Sequence, residues 1–216
     1  MSDALALERR RLLHRRALRL EYFTIGWNVL EAIVAIGAGV VAGSVALVGF
    51  GVDSGIEVIS AVGLWWRLRT AGPDATVAEE SAAERRALYI VAATFFLLAA
   101  YIAYEAGMAL LGREEPDRST VGLVLSVLSL LIMPLLAWWK QRTGRQMHSR
   151  ALVADSVETW VCSYLSLALL AGVGLHQLFG WWWADAVGAL AMVPVIVWQG
   201  WETLGEARER DHGDAD

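Results

Sequence analysis

Two apolar stretches each carry an acidic residue and, four positions on, a second group able to bind a metal ion. Asp53 and Glu57 lie in SVALVGFGVDSGIEVISAVGLWW, and Glu158 and Cys162 in ALVADSVETWVCSYLSLALLAG. A spacing of four stacks both members of a pair on one helix face. An ionisable side chain at bilayer depth costs about 2.5–3.5 kcal/mol on insertion scales, so such groups pair, line a cavity or bind an ion. Oxygen and sulfur donors together suit a tetrahedral divalent ion, Zn2+ first, with cadmium, cobalt or iron as alternatives, and sulfur argues against magnesium and calcium. The plainer readings are carboxyls hydrogen-bonded to a neighbouring helix and a cysteine that is buried filler.

Membrane helices must position these residues. The 216-residue chain is 56% hydrophobic and 19% charged, with its apolar residues gathered into long runs; its mean hydropathy is +0.46. Stretches of roughly 20 apolar residues mark membrane spans, and six are found, at about 20–42, 44–66, 86–111, 120–139, 151–178 and 182–204. The fold class expected is therefore all-α, a polytopic bundle of six transmembrane helices. Residues 1–19 read as a basic helix at an anionic membrane face, with no apolar core or small-residue cleavage site of a signal peptide, and 206–216 as a short, disordered acidic tail.

Charge placement orients the bundle. Arg9, Arg10, Arg11, Arg15, Arg16 and Arg19 fall on the same side as Arg67, Arg69, Arg85, Arg86, Lys140, Arg142, Arg145 and Arg150, whereas Arg113 and Arg118 fall on the other. The positive-inside rule then puts both termini in the cytoplasm, as in a multi-pass protein of the cell's inner (plasma) membrane. Spans two and five run antiparallel, and depth follows from helical rise: Glu57 lies about 15 Å from Arg67 and Glu158 about 12 Å from Arg150. Asp53 and Cys162 come one turn further out, at about 21 and 18 Å. The two pairs match in depth, and Gly51, Ser54, Gly55, Ser156, Thr159 and Ser163 are small enough to let the two helices meet.

Other groups are candidates for a secondary metal or proton site. Glu31 in span one lies at nearly the depth of the four ligands, as proton carrier, spare ligand or hydrogen-bonding partner of Asn28. Asp155 sits near Glu158, where it could attract incoming cations, and Asp185 opens span six. Asp74, Glu79, Glu80 and Glu84 read as a solvated linker. No phosphate-binding glycine loop, HExxH or nucleophile–histidine pair is present, so the sequence offers no enzyme chemistry, and energy must come from a gradient. The arginines adjoin a span in a chain of net charge −5, which argues against nucleic acid as partner.

With these residues in place, GSVALVGFGVDSGIEVIS resembles the second transmembrane helix of the cation diffusion facilitator family, with its D-S-x-x-[DE]. SRALVADSVETWVC resembles the fifth, and WWADAVGAL the sixth, with Asp185 at the matching acidic position. Asn28, Tyr104 and Glu105 also sit where that family often has similar residues. The resemblance implies a six-helix transporter, with Asp53, Glu57, Glu158 and Cys162 on the four ligand positions. Glu158 and Cys162 replace a histidine or aspartate and an aspartate, which leaves metal preference and proton stoichiometry open. After Trp201 only ETLGEARERDHGDAD follows, so a short form without the family's cytoplasmic C-terminal domain is expected, and the homodimer that the resemblance implies would form through membrane helices.

The function expected is proton-coupled export of a divalent metal by alternating access. Two alternatives stay open: a non-transporting metal-binding membrane chaperone or sensor, and a proton-linked organic cation carrier, for which Trp27 and Trp160 could line a larger cavity.

Overall fold

The computed structural model describes residues 2–42, 45–72, 77–112, 120–179 and 181–213. Six helices follow one another: α1 Ser2–Ala42, α2 Val45–Thr70, α3 Val77–Gly112, α4 Thr120–Met147, α5 Arg150–Phe179 and α6 Ala184–Gly213. Each neighbour in sequence runs antiparallel to the last, so the basic residues of α1, α2, α3, α4 and α5 gather at one end, called here the basic end. The basic segment 1–19 and span one form a single continuous helix. At the other terminus, residues 206–213, expected as part of a disordered tail, continue α6, and Ala207 is buried. Among the described residues, five stretches are long and apolar enough to cross a membrane: Leu7–Val41, Leu47–Thr70, Ala82–Gly112, Thr120–Met147 and Ala186–Glu209.

The helices close into a ring, α1 beside α2, then α3, α6, α5 and α4, with α4 returning to α1. α5 also crosses to α2 and α3, so it touches four of the other five helices. This explains how Asp155 and Glu158 can sit at membrane depth: neighbouring helices cover them.

α1 shows how the sequence chooses its faces. His14, Ala17, Glu21, Thr24, Asn28, Glu31 and Ala35, spaced three and four apart, are buried, while Phe23, Leu30, Ile33 and Val40 are exposed. The polar stripe turns inward and the apolar residues face the bilayer, the reverse of a water-soluble helix. Tryptophans ring the basic end under arginines: Arg16 lies 4.1 Å from the Trp139 ring, Arg142 5.4 Å from Trp138 and Arg69 5.4 Å from Trp65. Such amphipathic rings belong at a membrane interface.

The start of α5 is fixed by a tight turn. His148 has a φ of 55°, and its N–H and that of Ser149 bond back to the carbonyls of Arg145 and Gly144, which closes α4 in a Schellman motif. Ser149 Oγ then accepts from the N–H of Leu152 at 3.2 Å as the cap of α5,. Glu84 of α3 accepts from the Ala151 N–H at 2.8 Å and the Ser149 hydroxyl at 2.9 Å, and pairs with Arg67 of α2 at 2.6 Å. Glu84, expected in a solvated linker, is instead 1% exposed and ties α2, α3 and α5 together. Asp74, Glu79 and Glu80 have side chains outside the described residues.

Candidate metal centre

The α2–α5 contact is stitched by two reciprocal hydrogen bonds. Thr159 donates to Glu57 at 2.7 Å and Ser60 donates to Asp155 at 2.7 Å. Each helix thus offers one hydroxyl and one carboxylate, in opposite order because the helices are antiparallel. This lock brings the expected four side chains into the interior: Asp53 is 5% exposed, Glu57 2%, Glu158 1% and Cys162 2%.

Cys162 lies near enough to Asp53 and Glu57 for their charges to act on it, and it packs on Met133 and Leu136 of α4. Glu158 accepts from the Thr94 hydroxyl of α3 at 3.3 Å through Oε2. Among the described residues, no three of the His, Cys, Asp and Glu side chains are already arranged to hold a metal ion. The site is gathered but not closed.

The oxygens show what is missing. Asp53 Oδ2, Glu57 Oε2 and Glu158 Oε1 are all buried without a hydrogen-bond partner. Burying a polar atom unpaired costs free energy, and burying a charge unpaired costs far more. Each of these oxygens therefore calls for a proton, a cation or a bound water. A set of acids that exchanges proton for cation couples the two by competition.

The secondary candidates divide. Glu31 of α1 accepts from Ser54 of α2 at 3.0 Å and leaves Oε1 unpartnered, so it joins the series of buried acids. Asn28 is buried and donates to the Thr24 carbonyl of its own helix at 3.1 Å, one turn from Glu31. Asp155 is held by Lys140 of α4 as well as by Ser60, so its charge is already neutralised by the protein. The side chain of Asp185 lies outside the described residues.

Sequence reasoning passed over Lys140. Its place among the basic residues of one membrane face suggests a surface charge, yet it is fully buried, paired with Asp155 and 3.5 Å from Glu21 of α1. A lysine just past two tryptophans reads as one whose ammonium reaches water; only the two acids on other helices could have signalled a buried triad. The small residues also act differently from expectation at two positions: Ser54 donates to Glu31 of α1, and a Cβ at Gly51 would come 2.6 Å from Ile36 and 3.1 Å from the Ala32 carbonyl of α1. Gly51 lets α1, not α5, approach α2.

Residues 23–209 match the cation efflux transmembrane domain. The chain belongs to the cation efflux family. The family is one of membrane transporters rather than enzymes, and the match agrees with the motifs of α2, α5 and α6. The chain is 29% identical over 186 residues to an uncharacterized transporter of Synechocystis, covering 85% of this chain and 60% of that protein. It is 29% identical over 119 residues to the cation-efflux pump FieF of Shewanella oneidensis, covering 55% and 38%, and 27% identical over 178 residues to transmembrane protein 163 of Xenopus laevis, covering 82% and 62%. It therefore spans less than two thirds of the length of these relatives.

Proposed function

We infer that this cation efflux family member carries a divalent metal ion through the bundle, binding it between α2 and α5 and releasing it as protons take its place. The observation that carries this reading is the set of unpartnered buried oxygens on Asp53, Glu57 and Glu158, with the buried Cys162 thiol near two of the three. Zinc fits a set of carboxylate oxygens and one sulfur; cadmium, cobalt and iron fit the same donors less selectively. Binding by all four side chains requires Glu158 to swing from Thr94 toward Cys162, one turn along its own helix.

Proton exchange follows from charge. A divalent ion offsets two of the negative charges of the ionised ligands, and protons offset them in its absence; either exchange limits the charge that must be carried through lipid. Alternating access by movement of α1, α2, α4 and α5 against α3 and α6 is what the family resemblance suggests. The arginine-rich end faces the cytoplasm by the positive-inside rule, and protons moving inward down their gradient would drive the metal outward. A homodimer would use lipid-facing surfaces of these helices.

An organic cation has less support. Trp160 is 40% exposed on the outside of the bundle, and the cavity at Asp53 measures only about 100 Å³. The test is zinc flux into proteoliposomes under an imposed proton gradient. The reading expects flux driven by the opposing proton gradient and abolished by Asp53→Asn. Tight zinc binding with no proton-dependent flux would assign the protein to metal holding instead.

A further inference from the structure

A second carboxylate approaches the site from α3. Glu105 lies near the end of α3 away from the arginines, and its carboxylate rests on the backbone of α2 at Gly49; a Cβ there would fall within the carboxylate itself. Gly49 is four residues from Asp53, so the two positions share one face of α2, separated by a rise of about 6 Å. Glu105 is close enough for its charge to act on Asp53, and Tyr101, one turn back on α3, reaches it by hydrogen bonding. Between them is a cavity of about 100 Å³, lined by Asp53, Glu105, Tyr101, Phe50 and Leu165 with alanines of α6. A single water needs only about 10–15 Å³ of such space, so a metal ion with water ligands fits.

Two features make this more than a pair of acids. Asp53 is 5% exposed, lines the cavity and has an oxygen with no partner. Gly49 removes the side chain that would keep Glu105 away from α2. Apart from Tyr101 the remaining wall is apolar, so water can solvate an ion there only in part and the two carboxylates must supply the rest.

We propose that Glu105 and Asp53 form a second subsite for a divalent metal ion, between the α2–α5 ligands and the face opposite the arginines. Resting on the proposed transport reading, this makes Asp53 the ligand shared by two positions one helical turn apart. An ion leaving Glu57, Glu158 and Cys162 keeps one carboxylate while it gains another, so no step leaves it bare in lipid. The subsite holds the ion more weakly than the inner set because it has fewer charged donors and keeps water.

The test uses the full purified chain and zinc alone, with binding by calorimetry and flux in proteoliposomes. Wild type is expected to bind a tight and a weaker zinc ion. Glu105→Gln keeps the shape and removes the charge; Gly49→Ala keeps the charge and displaces the carboxylate. Both should lose the weaker ion and about tenfold in flux while retaining the tight one, a loss of transport without loss of ground-state binding. Two ions bound and flux within about twofold of wild type in Glu105→Gln would overturn the subsite. Asp53→Asn separates the two claims. If it leaves the tight ion in place, the α2–α5 reading itself fails; if it removes that ion while both other variants behave as wild type, only the Glu105 subsite fails.

Discussion

Thr159 of α5 donates a 2.7 Å hydrogen bond to Glu57 of α2 and leaves the second oxygen of that carboxylate without a partner. The bond aims Glu57 at Cys162, while the remaining oxygen is available to a cation or a proton. Thr159→Val removes the hydroxyl and keeps the shape. A hydrogen bond to a charged group contributes about 1.5–3 kcal/mol, so zinc affinity should fall by roughly tenfold or more, read as the dissociation constant by calorimetry. Unchanged affinity would mean that Glu57 needs no such aim.

Lys140 should matter for stability more than either of its partners. It pairs with Asp155 and lies 3.5 Å from Glu21, all three at full burial. Breaking a buried pair by removing one member costs about 3–5 kcal/mol. Lys140→Met strands two acids, whereas Asp155→Asn leaves Lys140 with Glu21. The thermal midpoint in detergent should therefore fall further for Lys140→Met, and adding Asp155→Asn to it should recover part of the loss. Equal effects of the two single changes would contradict the triad.

How much of this was legible in the sequence differs by level. Six helices and the facing of α2 and α5 followed from apolar runs and from pairs four residues apart, because burial in lipid leaves both marks in the residue order. Helix ends did not: span two was read as 44–66, yet α2 runs to Thr70 and α3 begins at Val77, since apolarity reports the hydrocarbon layer while backbone hydrogen bonding continues past it. Rotation of single side chains was also hidden. Nothing in the spacing of Glu158 and Cys162 says that one turns to Thr94 and the other to Asp53. Glu84 and Lys140 looked like surface charges because their partners, Arg67 with Ser149 and Asp155 with Glu21, lie on other helices.

Gly51 tests the packing that holds α1 on α2. A side chain there meets Ile36 and the backbone of α1 within about three ångströms, and overpacking of this kind costs about 1–3 kcal/mol. Gly51→Val should lower the thermal midpoint and loosen the Ser54–Glu31 bond one turn away. Gly55, whose Cβ would meet nothing within 4 Å, should accept alanine with no loss. Equal tolerance at both positions would show that α1 can move off α2 freely.

Cys162 decides between ligand and filler. A thiolate favours soft ions, so Cys162→Ser should weaken cadmium binding more than zinc or cobalt binding, in competition titrations on the purified protein. The same modest change for all three ions would return Cys162 to its packing role against Met133 and Leu136.

Anomalous scattering at the zinc absorption edge, from crystals of the protein equilibrated with zinc, bears most directly on the claim that α2 and α5 grip one ion. The account predicts a strong peak bounded by Asp53, Glu57, Glu158 and Cys162, with Glu158 turned away from Thr94. A structure with zinc bound elsewhere, and with Glu158 still on Thr94 and the α2–α5 oxygens unvisited, would contradict it.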